Sequence, residues 1–277
     1  MHVVRTRAEL RAALASSPRP VGLVPTMGWL HAGHVSLIER ARAENETVVV
    51  SIFVNPRQFG QVADFARYPR NEERDIQACE RAGVDLVFAP TVDEVYPPGF
   101  DTRVSVGAIA GPLEGAARPG HFDGVVTVVA ILFALVGAER AYFGLKDYQQ
   151  VQVIRRMALD LALPTEVVPC ETIRDPDGLA MSSRNARLTP VGRAAASVLR
   201  RALVAGAAAV RNGTRDAGAI RAVMLAVLAT EPMAAPDYVS VADPDTLDEL
   251  ETVAGRALLS LAVEIEGVRL IDNTQVG

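Results

Sequence analysis

The amino-acid sequence predicts an α/β protein with a doubly wound parallel sheet, followed by a smaller α+β domain. Through residue 170, short β-branched runs alternate with segments of helical periodicity, which is typical of parallel sheets covered by helices. Beyond about Ile173, polar and turn-forming residues lead into helices and then into strands that alternate apolar and polar residues. Such alternation predicts a second sheet with one solvated face.

The first βαβ unit is a strand over 20–25, a helix over 34–45 and a strand over 47–55, because β-branched runs flank a segment of 3.6-residue period. The other elements predicted before residue 171 are helices over 71–83, 124–137 and 147–163, and strands over 85–90, 140–144 and 165–170.

The C-terminal region is predicted to contain one long Ala/Arg/Leu helix from Thr189 to Val210 and a second helix near Ala217 to Thr230. Strands over 237–243, 256–267 and 268–273 follow. The change in sequence character predicts a domain over 1–173 and a smaller one over 174–277.

Composition restricts the classes of partner. The chain of 277 residues carries a formal charge of −5 without a block of lysines or arginines, so we expect no binding to nucleic acid or to an anionic membrane surface. The longest apolar run, Val125–Ala138, is too short to cross a bilayer, and the N-terminus has no signal-peptide pattern. Cys79 and Cys170 are expected to be buried free thiols in the reducing cytoplasm.

Two of the four histidines, His31 and His34, follow the first strand of this unit and open its helix. Ligands of open parallel sheets bind beyond the carboxyl ends of the strands. Two imidazoles at i and i+3 share one face of the first helical turn, where backbone N–H groups lack partners and favour an anion such as polyphosphate. Alternatively, His31 caps the helix and His34 packs against it. Metal binding is disfavoured because the segment HAGH lacks the glutamate of HExxH.

The domain junction contains a second candidate segment, Ser182–Ser183–Arg184. Two hydroxyls and a guanidinium on one loop can bind a phosphate through charge-assisted hydrogen bonds. The alternative is a polar linker in which the serine pair caps the next helix.

Two further strand ends carry polar residues. Gly144 ends a strand and permits close approach of a ligand, and Lys146 and Asp147 follow it, suited to phosphate and to a ribose hydroxyl. Lys146 could equally be a solvated surface residue. Asn55 and Gln58 supply neutral amides after another strand, which suit a small molecule that carries hydroxyls.

Taken together, the motifs resemble the pantoate-β-alanine ligases, a family of the HIGH-motif nucleotidylyltransferase superfamily. The matching segments, in order along residues 21–273, are VPTMGWLHAGHVSLI, VVVSIFVNPRQF, YPRNEERD, LEGAARPGHFDGV, FGLKDYQQ, DGLAMSSRNARLT and RLIDN. The resemblance implies a Rossmann-like domain over 1–173 that binds ATP and pantoate, and a C-terminal domain over 174–277 that acts as a lid.

The resemblance also implies the reaction. Pantoate attacks the α-phosphorus of ATP to give pantoyl adenylate and pyrophosphate, and β-alanine then displaces AMP to give pantothenate, the coenzyme A precursor. Mg²⁺ is expected to accompany ATP, with no protein ligand assigned to it. A cytoplasmic homodimer is expected.

The family roles transfer to the matching positions. His34, His31 and Lys146 are the expected catalytic residues, with His34 donating a proton toward the departing pyrophosphate. Pantoate is expected at Gln58 and Gln150, with Asn55 and Tyr68 as neighbours, and β-alanine at Gln58. The expected ATP-binding residues are Met27, Gly28, Trp29, Leu30, His31, Ala32, Gly33, His34, Gly144, Leu145, Lys146, Asp147, Ile173 (through its backbone), Met181, Ser182, Ser183 and Arg184.

Several positions depart from the family pattern. Leu145 replaces a common glutamate, Ile131 a lysine, and Arg57 a methionine that would either shape the pantoate wall or point to solvent. After YPR, where the family commonly has paired aspartates, this chain has Arg74 beside Asp75. The rival functions are an adenylyltransferase that leaves the nucleotide on its product and a non-catalytic nucleotide sensor. An adenylyltransferase should lack the glutamine pair, and a sensor should have lost the imidazoles or the serine-arginine loop.

Overall fold

The computed structural model describes residues 1–60 and 62–277, which form two compact units. The first unit comprises 1–145 and 149–171, and the second comprises 146–148 and 172–277. The division after Glu171 lies close to the boundary predicted at residue 173. The assignment of 146–148 to the second unit was not predicted, because nothing in the local sequence indicates it.

The first unit contains a six-stranded sheet in the order β1-β4-β3-β2-β5-β6. Every neighbouring pair of these strands is parallel, which confirms the predicted doubly wound class. The strands are β1 (His2–Val4), β2 (Val21–Thr26), β3 (Thr47–Ile52), β4 (Leu86–Phe88), β5 (Arg140–Gly144) and β6 (Glu166–Cys170). The strand order reverses between β2 and β5, so the loops after these two strands occupy the position where such sheets bind ligands.

The helices before residue 161 cover both faces of this sheet. They are α1 (Arg7–Ala15), α2 (Ala32–Glu44), α3 (Val62–Arg67), α4 (Glu72–Arg81), α5 (Val92–Val95), α6 (Glu114–Ala117), α7 (His121–Val136) and α8 (Tyr148–Asp160). Single 3-10 turns cover Pro56–Gln58, Ala108–Ala110 and Leu145–Asp147. Strand β1 and helices α1, α3, α5 and α6 were not predicted, since most of them are too short to show a hydrophobic period.

Two apolar clusters form the core of the first unit. Leu23 of β2 packs in one cluster with apolar residues of α1, α7 and α8. The next residue, Val24, packs in the other cluster with residues of α2 and α4. Successive strand residues point to opposite faces, so the unbroken apolar runs of the sequence fill both layers.

The second unit contains helices α9 (Pro190–Ala195), α10 (Val198–Arg211) and α11 (Ala217–Leu228). It also contains a 3-10 turn over Ser183–Arg187 and an antiparallel sheet β7-β8-β9 formed by Ala235–Ala242, Ala257–Ile265 and Val268–Val276. Apolar residues of all three helices and of the sheet form one core. The predicted smaller α+β region is therefore confirmed as a fold.

Two details of the second unit correct the sequence predictions. The single helix over 189–210 is wrong because the chain turns at Ala196–Ser197. The hydroxyl of Ser197 donates to the carbonyl of Ala194 at 2.8 Å, and such bonds compete with the helical ladder. The expected solvated face is wrong for β8, in which Leu258, Ser260 and Ala262 are buried as fully as the residues between them.

Candidate active site

The loop after β2, residues 27–31, has a strained backbone that a buried carboxylate holds in place. Gly28 and Trp29 both have left-handed conformations, with φ of +80° and +51°. Asp75 of α4 accepts hydrogen bonds from the backbone N–H groups of Trp29 and Leu30, each at 2.7 Å. A Cβ atom on Gly28 would lie 2.9 Å from Oδ2 of Asp75. Both the conformation and the available space therefore require glycine at position 28.

Arg74 holds the same loop through a different pair of contacts. Its Nη2 donates to the carbonyl of Leu30 at 3.0 Å, and its Cζ lies 4.9 Å from the centroid of the Trp29 ring. Asn71 starts α4 by accepting a hydrogen bond from the backbone of Arg74. Neither Arg74 nor Asp75 was assigned to the site from the sequence. The local signal is the N-cap asparagine, which sets the first turn of α4.

His31 and His34 form a reciprocal cap at the start of α2. Nδ1 of His31 accepts from the backbone N–H of Gly33 at 3.1 Å, and Nδ1 of His34 accepts from the backbone N–H of His31 at 3.4 Å. The ring centroids are 4.1 Å apart. Because each Nδ1 accepts a hydrogen bond, the proton of each neutral ring lies on Nε2.

This cap changes the interpretation of the first turn of α2. The N–H of Gly33 donates to His31, and the N–H of His34 donates to the carbonyl of His31 at 2.8 Å. The prediction that the first-turn N–H groups lack partners is wrong for these two residues. The alternative that His31 caps the helix is confirmed, and capping is compatible with a role for Nε2. An anion at this position would meet imidazole donors in place of these two amides.

A network of amides follows β3. Asn55 is 1% exposed and its Nδ2 donates to Oε1 of Gln58 and to the carbonyl of Gly124, both at 3.0 Å. Its Oδ1 accepts from the hydroxyl of Tyr96 at 2.8 Å and from the backbone of Arg57 at 3.2 Å. Burial raises the pKa of Tyr96 to about 12, so its hydroxyl remains a donor at neutral pH. Both ends of the Asn55 amide are therefore hydrogen-bonded to neighbouring protein groups, and the bond to Oε1 of Gln58 orients the amide of Gln58.

Gln58 is placed next to the loop that follows β2. With Oε1 held by Asn55, its Nε2 donates to Sδ of Met27 at 3.0 Å. Its backbone carbonyl accepts from Nη2 of Arg118 at 3.1 Å and lies 2.8 Å from Nδ1 of His121. Two predicted site residues, Met27 and Gln58, are thus in direct contact, and the ends of β2 and β3 supply them.

The sequence left open whether the side chain of Arg57 shapes the wall of the pantoate site or points to solvent. Arg57 is an exposed residue, and its guanidinium lies 4.6 Å from the ring centroid of Tyr96 and 4.7 Å from that of Phe100. It stacks on these two rings while reaching solvent. Tyr68 is buried, with its ring 5.7 Å from that of Phe59.

The two glutamines that open α8 differ in their surroundings. Gln149 is buried, accepts from the backbone of Glu114 and donates to the carbonyls of Ile109 and Pro112. Gln150 is only partly buried. Because Gln149 has structural partners for both ends of its amide, Gln150 is the better candidate for a ligand contact.

Gly144 at the end of β5 has open space beside it. A Cβ atom placed there would meet no described atom within 4 Å. The next residue, Leu145, starts a 3-10 turn that continues through Asp147.

The second unit contains the remaining predicted site residues, beginning with Lys146. Its side chain is 17% exposed, and its Nζ lies 3.7 Å from Oδ1 of Asp147. It is therefore largely buried, which disfavours the alternative of a solvated surface lysine.

The junction segment folds back on itself. Met181 donates its backbone N–H to the carbonyl of Ile173 at 3.0 Å, and Ser182 caps the 3-10 turn over 183–187 by accepting from the backbone of Arg184 at 3.2 Å. Ser183 is buried and Arg184 partly buried. The capping alternative is thus confirmed for Ser182, and phosphate binding by this segment stays a prediction.

The described residues include no group of three or more His, Cys, Asp or Glu side chains that could hold a metal ion. Asp75 does not fit a magnesium ligand, because it is buried and both of its oxygens accept backbone hydrogen bonds. Among the described helices, none has the length and apolar character that a membrane span needs.

The sheet order defines a doubly wound α/β protein, and the paired histidines lie after β2, at the sheet edge where such proteins bind ligands. The family model described as pantoate-beta-alanine ligase matches residues 2–275. The chain belongs to this family.

Individual relatives agree with this membership. The pantothenate synthetase of Roseiflexus sp. strain RS-1 is 60% identical over 273 residues, which cover 99% of this chain and 98% of that protein. The crystal structure of the Thermus thermophilus pantothenate synthetase has a TM-score of 0.95 at 50% identity and 99% coverage of both chains. The pantoate-beta-alanine ligase of Francisella tularensis, complexed with beta-gamma ATP and beta-alanine, has a TM-score of 0.82 at 33% identity and covers 99% of this chain and 97% of that one.

Proposed function

We propose that this protein condenses (R)-pantoate with β-alanine at the expense of ATP, giving pantothenate, AMP and pyrophosphate through a pantoyl adenylate. Family membership over residues 2–275 supports the overall reaction. The observation that carries the mechanism is the reciprocal cap of His31 and His34, which fixes both rings and places the proton of each neutral ring on Nε2.

In the first step, a carboxylate oxygen of pantoate attacks the α-phosphorus of ATP, and the bond from that phosphorus to the pyrophosphate oxygen breaks. Negative charge grows on the departing oxygen. Fixed donors directed at growing charge stabilise a transition state more than mobile water does. We assign this role to Nε2–H of His34, directed at the departing oxygen. Nε2–H of His31 is assigned to the same phosphates.

In the second step, the neutral amine of β-alanine attacks the acyl carbonyl, the bond to the AMP oxygen breaks and the amine loses a proton to solvent. We assign pantoate to the amides of Gln58 and Gln150, with Tyr68 as a neighbour and Asn55 acting through Gln58. The β-alanine contact is assigned to Gln58. The orientation that Asn55 imposes directs Nε2 of Gln58 toward the loop after β2.

The nucleotide is assigned to the loop over 27–34 and to Gly144 and Leu145 in the first unit. In the second unit it is assigned to Lys146, Asp147, the backbone of Ile173 and the segment 181–184. We assign residues 174–277 the role of a lid, because an acyl adenylate must be kept from water until the amine attacks.

Mg²⁺ enters this proposal bound to the phosphates of ATP. Magnesium keeps several water ligands and needs few from the protein, so no side chain is assigned to it here. Cytoplasmic location and a homodimer complete the proposal. The two buried free thiols support a reducing compartment, and sedimentation equilibrium at micromolar concentration tests the dimer.

The proposal is tested with purified protein, MgATP and each substrate omitted in turn. We expect exchange of labelled pyrophosphate into ATP with pantoate alone, and AMP release with pantoate plus β-alanine. Pyrophosphate exchange that occurs equally without pantoate would contradict the adenylate route. So would AMP release by a protein that performs no exchange with pantoate alone. Transfer of AMP onto a phosphorylated alcohol, with the nucleotide retained on the product, would favour the adenylyltransferase.

A further inference from the structure

The last strand of the second unit, β9, places Asp272 and Asn273 side by side in the segment RLIDN. Neither of these two polar side chains has a role in the proposed reaction described above. Asp272 lies on the face of β9 that packs into the apolar core, with its side chain 1% exposed. Asn273 lies on the opposite face and is partly buried. A carboxylate in an apolar core is unfavourable unless it is paired. The residue that pairs with Asp272 therefore identifies the segment that this strand holds in place.

Asp272 pairs with Arg174, the residue that follows Ile173. The guanidinium donates two hydrogen bonds to the carboxylate, at 2.7 and 2.9 Å. It also donates to the carbonyls of Gly178 at 3.0 Å and Asn273 at 3.3 Å. This fork of donors ties the segment between Ile173 and Met181 to the end of β9.

Asn273 supports a different segment. Its Nδ2 donates to the backbone carbonyl of Lys146 at 2.8 Å, and its own backbone N–H donates to Oδ1 of Asp272 at 2.8 Å. The hydroxyl of Tyr148 donates to the carbonyl of Pro244 at 3.0 Å. The bonds to the carbonyl of Lys146 and from the hydroxyl of Tyr148 hold residues 146–148 in the second unit, although the chain on either side belongs to the first unit.

Strand β9 also contacts the 3-10 turn over 183–187. Asp272 and Asn273 therefore contact two segments at the assigned nucleotide site, namely Lys146 and Arg174, which follows Ile173. We propose that Asp272 and Asn273 are positioning residues that hold Lys146 and the segment after Ile173 in place for the phosphates of ATP. This inference rests on the proposed function, and neither residue is given contact with a substrate.

The physical reason is pre-organisation. A lysine side chain has four rotatable bonds, so the direction of its ammonium depends first on where its backbone is fixed. Loss of the Asn273 bond frees the carbonyl of Lys146, and a displacement of about 1 Å in a positioning element can cost up to about 100-fold in rate. Binding of ATP in the ground state should suffer less, since the misplaced cation still attracts phosphate.

The test uses the full-length chain and pantoate-dependent exchange of labelled pyrophosphate into ATP. Asn273→Ala removes the donor, and Asn273→Asp keeps the size while it turns an oxygen toward the carbonyl. We expect both variants to lower kcat by about tenfold or more with a smaller rise in the KM for ATP. The matched control is Gln275→Ala, an exposed amide two residues further along the same face of β9, and it should behave as wild type.

A double-mutant cycle with Lys146→Ala separates positioning from a general loss of structure. If Asn273 acts through Lys146, the additional effect of Asn273→Ala should nearly vanish in the Lys146→Ala background. Full additivity of the two effects would overturn the inference, as would wild-type exchange by Asn273→Asp. A loss of kcat that merely follows a fall in the unfolding midpoint would overturn it too. Wild-type protein that performs no exchange would refute the proposed function itself, a result distinct from active wild type with unaffected variants.

Discussion

The imidazoles of His31 and His34 each use Nδ1 to begin helix α2, so the proton of each neutral ring lies on Nε2. Because the cap fixes both rings before any ligand arrives, the proposed reaction requires no reorganisation of the imidazoles when charge develops on a phosphate oxygen. Gln58 is arranged in the same manner, since Asn55 holds one end of its amide. At the scale of single residues, ring and amide orientation is set by backbone and side-chain partners within the first unit.

We expect His34→Ala to lower pantoate-dependent pyrophosphate exchange by about 100-fold to 10,000-fold, the range for loss of a positioned proton donor. The lost bond to His31 is long, so unfolding free energy should fall by about 1 kcal/mol at most. Exchange kinetics and urea unfolding measure the two effects. His2→Ala, at an exposed position, is the control, and unchanged exchange in His34→Ala would remove the residue from the mechanism.

Gln58→Ala should raise the KM for pantoate by about tenfold or more, because a site built to hydrogen-bond hydroxyls loses its donor. The KM for ATP should change much less. Initial rates with each substrate varied in turn measure the difference. Gln77→Ala, a surface amide in the same unit, provides the comparison, and equal effects on both substrates would contradict the assignment to pantoate.

At the scale of elements, α4 determines the shape of the loop that carries the histidines. The spacing of His31 and His34 was sufficient to predict that the two imidazoles lie close together at the start of α2, although His31 is the N-cap and lies outside the helix. The role of Asp75 was not predictable, because its partners Trp29 and Leu30 are more than forty residues away and only the packing of α4 brings them together. Likewise, the continuous Ala/Arg/Leu pattern after Thr189 concealed a break at Ala196–Ser197, where the hydroxyl of Ser197 donates to the carbonyl of Ala194.

Asp75→Asn tests the support of this loop. An amide at this position presents one N–H₂ group to a backbone donor, so one buried N–H should lose its acceptor at a cost of about 1 to 3 kcal/mol. We expect lower unfolding free energy together with reduced pyrophosphate exchange. Glu73→Gln, an exposed carboxylate in the first turn of the same helix, is the control. A variant with wild-type stability and exchange would show that the loop does not depend on this carboxylate.

At the scale of the whole chain, the order of strands and helices made the doubly wound class predictable, since hydrophobic period and chain order suffice for it. The membership of residues 146–148 in the second unit was not predictable. It depends on Asn273 and Pro244, which are separated from this segment by about a hundred residues or more. Contacts of this kind leave no periodic pattern in the sequence.

The first unit also contains four acidic groups whose pKa values are raised by burial. Burial raises the pKa of Cys79 to about 12, of Cys170 to about 11, and of Tyr96 and Tyr142 to about 12. In the unfolded chain a thiol loses its proton near pH 8.5, so above that pH the unfolded state binds fewer protons than the folded state. The contribution of each thiol to the free energy of unfolding is therefore fully present below about pH 8.5. It falls as the pH rises toward the folded pKa, by up to about 1.4 kcal/mol per pH unit for each thiol.

Removal of one of these thiols should reduce that dependence. We expect Cys79→Ala to be less stable than wild type at pH 7, because it leaves a small cavity. Between about pH 9 and 11 its unfolding free energy should fall less steeply than that of wild type, because one raised pKa is gone. Val84→Ala, in the same apolar cluster, should shift stability equally at every pH. Urea unfolding across this range measures both slopes, and parallel curves for Cys79→Ala and wild type would show that the thiol does not titrate on unfolding.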